Sequence, residues 1–409
     1  MSFLSFKLVD PQISESQRYW YAAIALFIVP LSGLSIDIFV PSLPVISHYF
    51  GATKSLAQLS ITMYMLGMGV MQLFSGSISD SFGRKKPFLI AMLINIVVTL
   101  LIPLSHTIYE LLFLRLMQGI LVAILIVPIR AIFADLFSGV EFHKMTTYST
   151  VIWSIGPVVA PAIGGYLQHY FGWQSNFYFI GVYNTIAFLL ILFFMPETSR
   201  YRHPFQTASL LQRYKEILSH SEYIRMLIIN CALYSIVILF SIVGSFLIQK
   251  VLHYSPVDFG HMAFLTGLAW FFGAMTNRAF IHAPYNLKVK IGLWSLLIVS
   301  LISIFAASIL PLTIYAVMIP TFILIYLGGT VFPNNFAKAL SLFPKINGSA
   351  NSLFGAFIFL LPGLSSALGT LLKTNSVIPL LTSYLGLIAF SLIIFYASLV
   401  GVTVRKRML

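Results

Sequence analysis

The sequence predicts an all-α membrane protein with about twelve transmembrane helices in two six-helix halves. Three features carry that expectation: scarce charge, apolar runs that recur almost end to end, and lopsided basic residues. Only 9% of the 409 residues are charged and 59% are hydrophobic, with a mean hydropathy of +0.93. A soluble chain of this length needs far more charged surface to stay dispersed, so the outer surface is expected to face lipid. Cys231 is the single cysteine and lies in an apolar run, which excludes an intrachain disulfide and a thiol-metal cluster. The segment 1–18 is polar and has no apolar signal core, so the first apolar segment is expected to remain as a helix.

A helix needs about 20 apolar residues to cross the hydrocarbon. Runs of that kind fall at 19–46, 57–79, 87–105, 108–135, 145–168 and 176–195. A second set follows at 223–250, 259–281, 290–309, 311–336, 348–372 and 376–403. Between the sets lies a polar stretch, 197–222, that contains Arg200, Arg202, Arg213 and Lys215. The expected organisation is therefore a polar start (1–18), a six-helix bundle (19–196), a central loop (197–222), a second bundle (223–403) and a basic tail (404–409).

The basic residues orient this scheme. Of the 24 Lys and Arg, Arg115 and Arg130 lie inside the fourth span, and Lys54, Lys250 and Lys373 fall on one side. The remaining nineteen fall on the other side. That bias predicts a cytoplasmic location for both termini. It also accounts for most of the net charge of +13 without a nucleic-acid partner. The expected surroundings are a lipid bilayer.

Ionisable groups in hydrocarbon are expensive, so each one is a candidate for function. Asp37 is the only carboxylate well inside a span, and Arg115 lies in the fourth span. At about 1.5 Å of rise per residue, Asp37 sits roughly 16 Å and Arg115 roughly 12 Å from the same side. A shared depth permits an interaction if the two helices are neighbours, which spacing alone does not establish. Burial disfavours an ionised carboxylate and a nearby guanidinium favours it, so such a pair suits proton coupling. The alternative is a static pair, or an aspartate bonded to backbone in a helix broken near Pro41 and Pro44.

The second span ends in Gly76-Ser77-Ile78-Ser79-Asp80-Ser81-Phe82-Gly83-Arg84-Lys85-Lys86. Gly83 can take a positive φ in a tight turn there, with Asp80 near basic neighbours. This stretch resembles the major facilitator signature G-x-x-x-D-x-x-G-R-[RK]-[RK] and meets all of its fixed positions. Leu111 to Gly119, with Arg115 and Gln118, resembles the fourth-helix signature of that superfamily. Gly156-Pro157, Pro161 and Gly164-Gly165 resemble its antiporter signature, with two extra residues before the glycine pair. Pro196-Glu197-Thr198 after the sixth span is a further landmark. Ser35 to Pro44, Pro333 to Ala339, and Gly348 to Ser352 look like the bicyclomycin-resistance (Bcr/CflA) branch of drug:proton antiporters.

That resemblance implies the major facilitator fold with inverted repeats, a midplane cavity and alternating access. It brings helices one and four together and implies proton coupling at Asp37 and Arg115. It also implies a gate or charge relay formed by Gly76, Asp80, Gly83 and Arg84 with Asp135, and with Arg130 nearby. Two stretches depart from the branch. Gln174-Ser175-Asn176 replaces its usual basic and aromatic residues, and the loop after the eighth span keeps only Asn277-Arg278 of the repeated motif.

An amphipathic cargo calls for aromatic and amide groups on the cavity wall. The candidates are Phe39, Tyr64, Gln118, Trp153, Tyr234, Asn335, Asn351 and Phe354. The resulting expectation is a proton-driven multidrug exporter that acts as a monomer and needs no metal or other cofactor. A dedicated siderophore or metabolite transporter, as exporter or importer, is the alternative on the same fold. An enzyme or a non-transporting sensor is the remote third reading. The nine histidines stand singly among loops and helix ends and form no ligand or nucleophile-base spacing.

Overall fold

The computed structural model describes residues 14–199, 207–280 and 282–407. Residues 1–13 of the polar start, Arg200 and Arg202 of the central loop, and 408–409 of the tail lie outside the described residues. Within them the chain is helical. The first half comprises α1 (Glu15–Tyr49), α2 (Lys54–Phe82), α3 (Lys85–Leu104), α4 (Ile108–Leu136), α5 (Gly139–Phe171) and α6 (Gln174–Phe194). The second half comprises α7 (Ser221–Val251), α8 (Pro256–Ala279), α9 (Tyr285–Ile309), α10 (Ile314–Ser341), α11 (Pro344–Gly369) and α12 (Ile378–Ala397).

Eleven of these helices are long and apolar enough to cross a membrane. The exception, α8, is 24 residues long and dilutes its apolar run with Asp258, His261, Thr266, Thr276, Asn277 and Arg278. Several helices extend past the apolar runs that announce them. For example, α5 covers Gly139–Phe171 against a run of 145–168, because a helix continues beyond the hydrocarbon edge. The last helix likewise continues to Arg407, into the expected tail. The central loop also holds a short helix, Thr207–Leu218. Leu210, Tyr214 and Ile217 form its buried stripe, and the Tyr214 hydroxyl donates to the Leu73 carbonyl at 2.7 Å.

The packing of one half recurs in the other. In the first, α1 packs on α5, α2 on α4, and α3 on α4 and α6. In the second, α7 packs on α11, α8 on α10, and α9 on α10 and α12. The halves meet along two seams, α2 with α11 and α5 with α8, which correspond under the same repeat. Burial follows from this order: 89% of the apolar window of α7 and 78% of that of α1 are enclosed, against 22% for α9. Leu93, Ile94 and Val97 on α3, Phe193 and Phe194 on α6, and Ile298, Ile302 and Phe305 on α9 remain exposed. Such apolar belts belong against lipid.

Both seams are built from small residues. A methyl group added to Gly69 would meet the Ala356 carbonyl at 2.9 Å. One added to Gly165 would meet the Pro256 carbonyl at 2.5 Å, and one added to Gly260 the Pro161 carbonyl at 2.6 Å. Close backbone approach of this kind needs glycine at the contact.

Two helices are irregular where they pass the centre. Proline cannot donate to the helical ladder, so α1 breaks at Pro30 and again at a 3₁₀ turn, Val40–Ser42, which contains Pro41. The far part of α7 winds through two π-helical turns, Phe240–Gly244 and Leu247–Val251. Below, the face carrying Arg84, Lys86 and Lys144 is called the basic face, and the one carrying Lys54 and Lys373 the far face.

Candidate functional site

Asp37 ends the short helical stretch Leu31–Asp37, directly before the 3₁₀ turn of α1. It is 6% exposed and makes no hydrogen bond or ion pair with any described residue. Its oxygens are not sealed in, because they do not number among the fully enclosed, unpartnered atoms. The 3₁₀ turn that follows Asp37 meets the opposite half, where Gln249 of α7 donates to the Pro41 carbonyl at 3.0 Å. Asp37 therefore lies four residues before a contact between the halves.

The turn that carries Asp37 is fixed from three neighbours. Arg115 of α4 donates to the Ser35 carbonyl at 3.0 Å. Tyr64 donates to the Ser32 carbonyl at 3.3 Å, and the Trp153 indole of α5 donates to the Ser32 hydroxyl at 3.0 Å. Arg115 is fully buried, lies 4.2 Å from the Phe39 ring centroid and 4.5 Å from that of Tyr64, and also donates to Gln118. Gln118 in turn donates to Thr99 of α3 at 2.9 Å. A guanidinium enclosed by two aromatic faces and a carbonyl is stabilised without a carboxylate.

Arg115 and Asp37, expected as potential partners, thus share a neighbourhood without forming an ion pair. Arg115 grips the backbone two residues before Asp37. The alternative reading of Asp37 fares no better in its contacts: the helix break is present, yet no backbone group bonds the carboxylate among the described residues.

The α5 motif packs against the same segment. Gly156 abuts the Pro30 carbonyl, and Pro157 lies where a Gly33 side chain would stand. A methyl group on Gly164 would fall 1.6 Å from the Ile38 carbonyl, next to Asp37. Pro161 and Gly165 face α8 across the seam.

At the basic face, Arg84 gathers the loop. Its guanidinium bonds Asp80 at 2.6 Å, Asp135 at 3.2 Å and the Ser79 hydroxyl at 3.0 Å. Burial works against the Arg84 charge, but Asp80 and Asp135 outweigh it and hold its pKa above the ordinary value. Gly83 has φ +88° and ψ 175°, a conformation closed to other residues. It brings the amides of Arg84 and Lys85 onto the Glu197 carboxylate, at 2.9 and 3.1 Å. A methyl group on Gly76 would meet the Ser352 side chain of α11 at an ordinary contact distance, 3.5 Å. Arg130 does not join the cluster: it makes no ion pair among the described residues and lies half-buried beyond Pro128, which interrupts α4.

Glu197 is the member that the sequence did not assign. It is 3% exposed and also accepts from the Ser199 amide, while Thr198 donates to Asp135. Its place directly after Pro196, a landmark already noted, was the available signal.

Of the expected wall residues, Trp153 and Asn351 are half-buried and Tyr234 is buried, at 7% exposed. Phe39, Tyr64, Gln118 and Phe354 are fully enclosed and support the wall from behind. Asn335 is also enclosed, with its oxygen accepting from Tyr285 of α9, so it points away from the centre. Two residues that were not expected join Tyr234. Trp270 of α8 stands 6.5 Å from it, and Phe332 of α10 stands 5.2 Å from Trp270, both half-buried.

Among the described residues, twelve long helices in two matched halves, with the buried Asp37 carboxylate on α1 free of hydrogen bonds and ion pairs, define a polytopic membrane protein. The chain belongs to the Major Facilitator Superfamily, whose family model matches residues 25–366. It is similar to a bicyclomycin resistance protein homolog of Haemophilus influenzae, 26% identical over 91% of this chain and 95% of that one. An uncharacterized MFS-type transporter of Bacillus subtilis, YdgK, is 28% identical over 88% and 92%. The multidrug resistance protein MdtL of Klebsiella pneumoniae is 31% identical over 47% and 48%. The fold matches that of a D-xylose-proton symporter, with a TM-score of 0.72 at 14% identity, covering 92% of this chain and 97% of that one. A bacterial homolog of the lysosomal transporter Spinster, inward-facing and unoccupied, matches with a TM-score of 0.68 at 12% identity, covering 95% and 96%. The chain is accordingly a multi-pass membrane transporter of small molecules, in a family that is not an enzyme class.

Proposed function

We propose that this transporter exports small amphipathic compounds in exchange for protons, by alternating access. The observation that carries the reading is Asp37, a buried carboxylate on α1 with no hydrogen bond or ion pair among the described residues. Its charge then depends on solvation alone, and solvation changes when the space opens to one side or the other. Proton entry from the far face and cargo release to that face would share this one switch. Arg115 serves as the brace of the Asp37 turn through the Ser35 carbonyl.

Tyr234, Trp270 and Phe332 supply an aromatic wall in the opposite half, suited to apolar or cationic cargo. The printed names of the Haemophilus and Klebsiella relatives, bicyclomycin and multidrug resistance, favour drugs over a dedicated metabolite. The nineteen basic residues of one side favour a bacterial inner membrane with both termini in the cytoplasm. In this reading one chain suffices, and the proton gradient drives it without a cofactor.

The test is transport in proteoliposomes under an imposed pH gradient, with cationic dyes and siderophores as cargoes. Cargo-dependent proton movement that vanishes in Asp37→Asn supports the proposal. Undiminished coupling in that variant removes Asp37 from the mechanism. Uptake of cargo along with inward protons reverses the direction, and preference for a siderophore replaces the cargo class.

A further inference from the structure

The hydrogen bonds that join the two halves gather at the far face. Lys54 and Ser55 of α2 donate to the Leu372 and Thr370 carbonyls beyond α11, at 2.6 and 2.9 Å. Tyr166 of α5 meets His261 of α8 at 3.0 Å. Two further bonds differ in kind, because their acceptors are backbone carbonyls in irregular turns. Gln58 of α2 donates to the Ile242 carbonyl at 2.6 Å, within the first π-helical turn of α7. Gln249, within the second π-helical turn, donates to the Pro41 carbonyl at 3.0 Å, within the 3₁₀ turn of α1.

Irregular turns expose carbonyls that a continuous α-helix would keep in its own ladder. Here the Ile242 and Pro41 carbonyls each accept from an amide of the other half, and the Ile242 carbonyl also accepts from the Ser245 hydroxyl at 3.1 Å. The Pro41 carbonyl lies four residues after Asp37, and Asn176 of α6 holds the next residue through the Ser42 hydroxyl at 2.8 Å. Gln58 is fully buried and its oxygen has no partner, so the amide is only partly satisfied. Exchanged for bonds to water when the far face opens, a neutral hydrogen bond is worth little net free energy.

We propose that Gln58 and Gln249 are the positioning residues of the far-face gate, and that Gln249 links the Asp37 segment to that gate. The link rests on the proposed role of Asp37, whereas the gate itself does not. When the Asp37 turn shifts with its proton, the Pro41 carbonyl moves and releases or recaptures Gln249. The π-helical turns of α7 give the gate its compliance.

The experiment places spin labels at Tyr170→Cys on α5 and Leu371→Cys after α11, in a Cys231→Ser background. Both positions are exposed at the far face and belong to opposite halves. Interspin distances are measured in reconstituted protein across a pH series, with cargo-driven proton flux measured in parallel. Gln58→Leu and Gln249→Leu are each expected to raise the open-to-closed ratio about fivefold, the worth of one neutral hydrogen bond. Gln249→Leu should also remove the pH dependence of the distances. Gln249→Glu gives a second reading, since only its protonated form donates to Pro41: the far face should close at low pH and open at high pH.

Distances unchanged in all three variants, with proton flux intact in the parent, would overturn the gate and leave the Asp37 reading standing. Opening in the variants, with pH-independent distances and no proton flux in the parent, would overturn the link and keep the gate.

Discussion

The two halves of this transporter repeat one packing plan and spend it on different chemistry. In the first half, charge sits where the plan places it: Asp37 on α1, Arg115 on α4, and the Asp80, Arg84, Asp135 and Glu197 cluster at the turn from α2 to α3. In the second half, the centre is aromatic, with Tyr234, Trp270 and Phe332. The turn from α8 to α9 leaves Arg278 exposed, without an ion-pair partner among the described residues. In the proposed function, coupling falls to the first half and cargo contact to the second, for a repeat duplicates geometry while each copy is free to change its side chains.

Asp37→Asn breaks this division most severely. Proton movement on cargo addition should fall to background while cargo binding to the aromatic wall persists, as measured by dye fluorescence on the reconstituted variant. Equal loss of binding would place Asp37 among the cargo contacts and blur the two roles.

Arg115→Leu comes next. It leaves the Ser35 carbonyl and the Gln118 oxygen without their donor, and hydrogen bonds to a charged group are worth about 1.5–3 kcal/mol. Thermal unfolding in detergent should show that loss. Arg115→Lys should recover only part of it, because an ammonium lacks the planar fork and stacks less well on Phe39 and Tyr64. Full recovery by lysine would show that charge alone matters at this position.

Gly83→Ala tests the turn at the basic face. The backbone conformation costs a non-glycine residue about 1–3 kcal/mol. An alanine methyl would also fall 2.5 Å from a Glu197 oxygen, so the Arg84 and Lys85 amides should lose their acceptor. Gly348→Ala at the start of α11 is the control, because nothing lies within 4 Å of the added methyl. Similar destabilisation by both changes would indicate a general effect of glycine loss.

Most of the fold was legible in the sequence because membrane spans are announced by length and composition. Even α8 was recognised, since its apolar run survives the polar residues that keep it below the other eleven helices. The loop signature identified Asp80, Arg84 and Asp135, and these residues do meet. The lateral contacts were not legible. Depth placed Asp37 and Arg115 at one level but carried no information on where the guanidinium points, and it turned to a carbonyl and two rings. Asn335 on α10 was read as a cavity-wall amide, while its helical phase turns it toward Tyr285. Glu197 acts through backbone amides, which leave no trace in side-chain spacing. Gln58 and Gln249 likewise bond carbonyls exposed by irregular turns, and composition does not foretell a π-helical turn.

The smaller effects lie in the second half. Trp270→Ala removes one ring of the Tyr234, Trp270 and Phe332 group, and an aromatic contact is worth about 0.5–1.5 kcal/mol beyond its buried area. Cargo affinity should fall by a few-fold to about tenfold, with the number of protons exchanged per cargo unchanged. An altered proton count would carry coupling into the aromatic half. Arg278→Ala should change neither stability nor transport, since this exposed side chain has no ion-pair partner among the described residues and sits where the repeat has lost its acids. Arg84→Ala, at the matching turn of the first half, should by contrast loosen two carboxylates at once. Protease sensitivity of the two loops reads the contrast directly: cleavage after α2 should rise in Arg84→Ala, and cleavage after α8 should stay level in Arg278→Ala. Equal responses would mean that the two turns do the same work despite their different side chains, and the asymmetry between the halves would then be confined to the membrane centre.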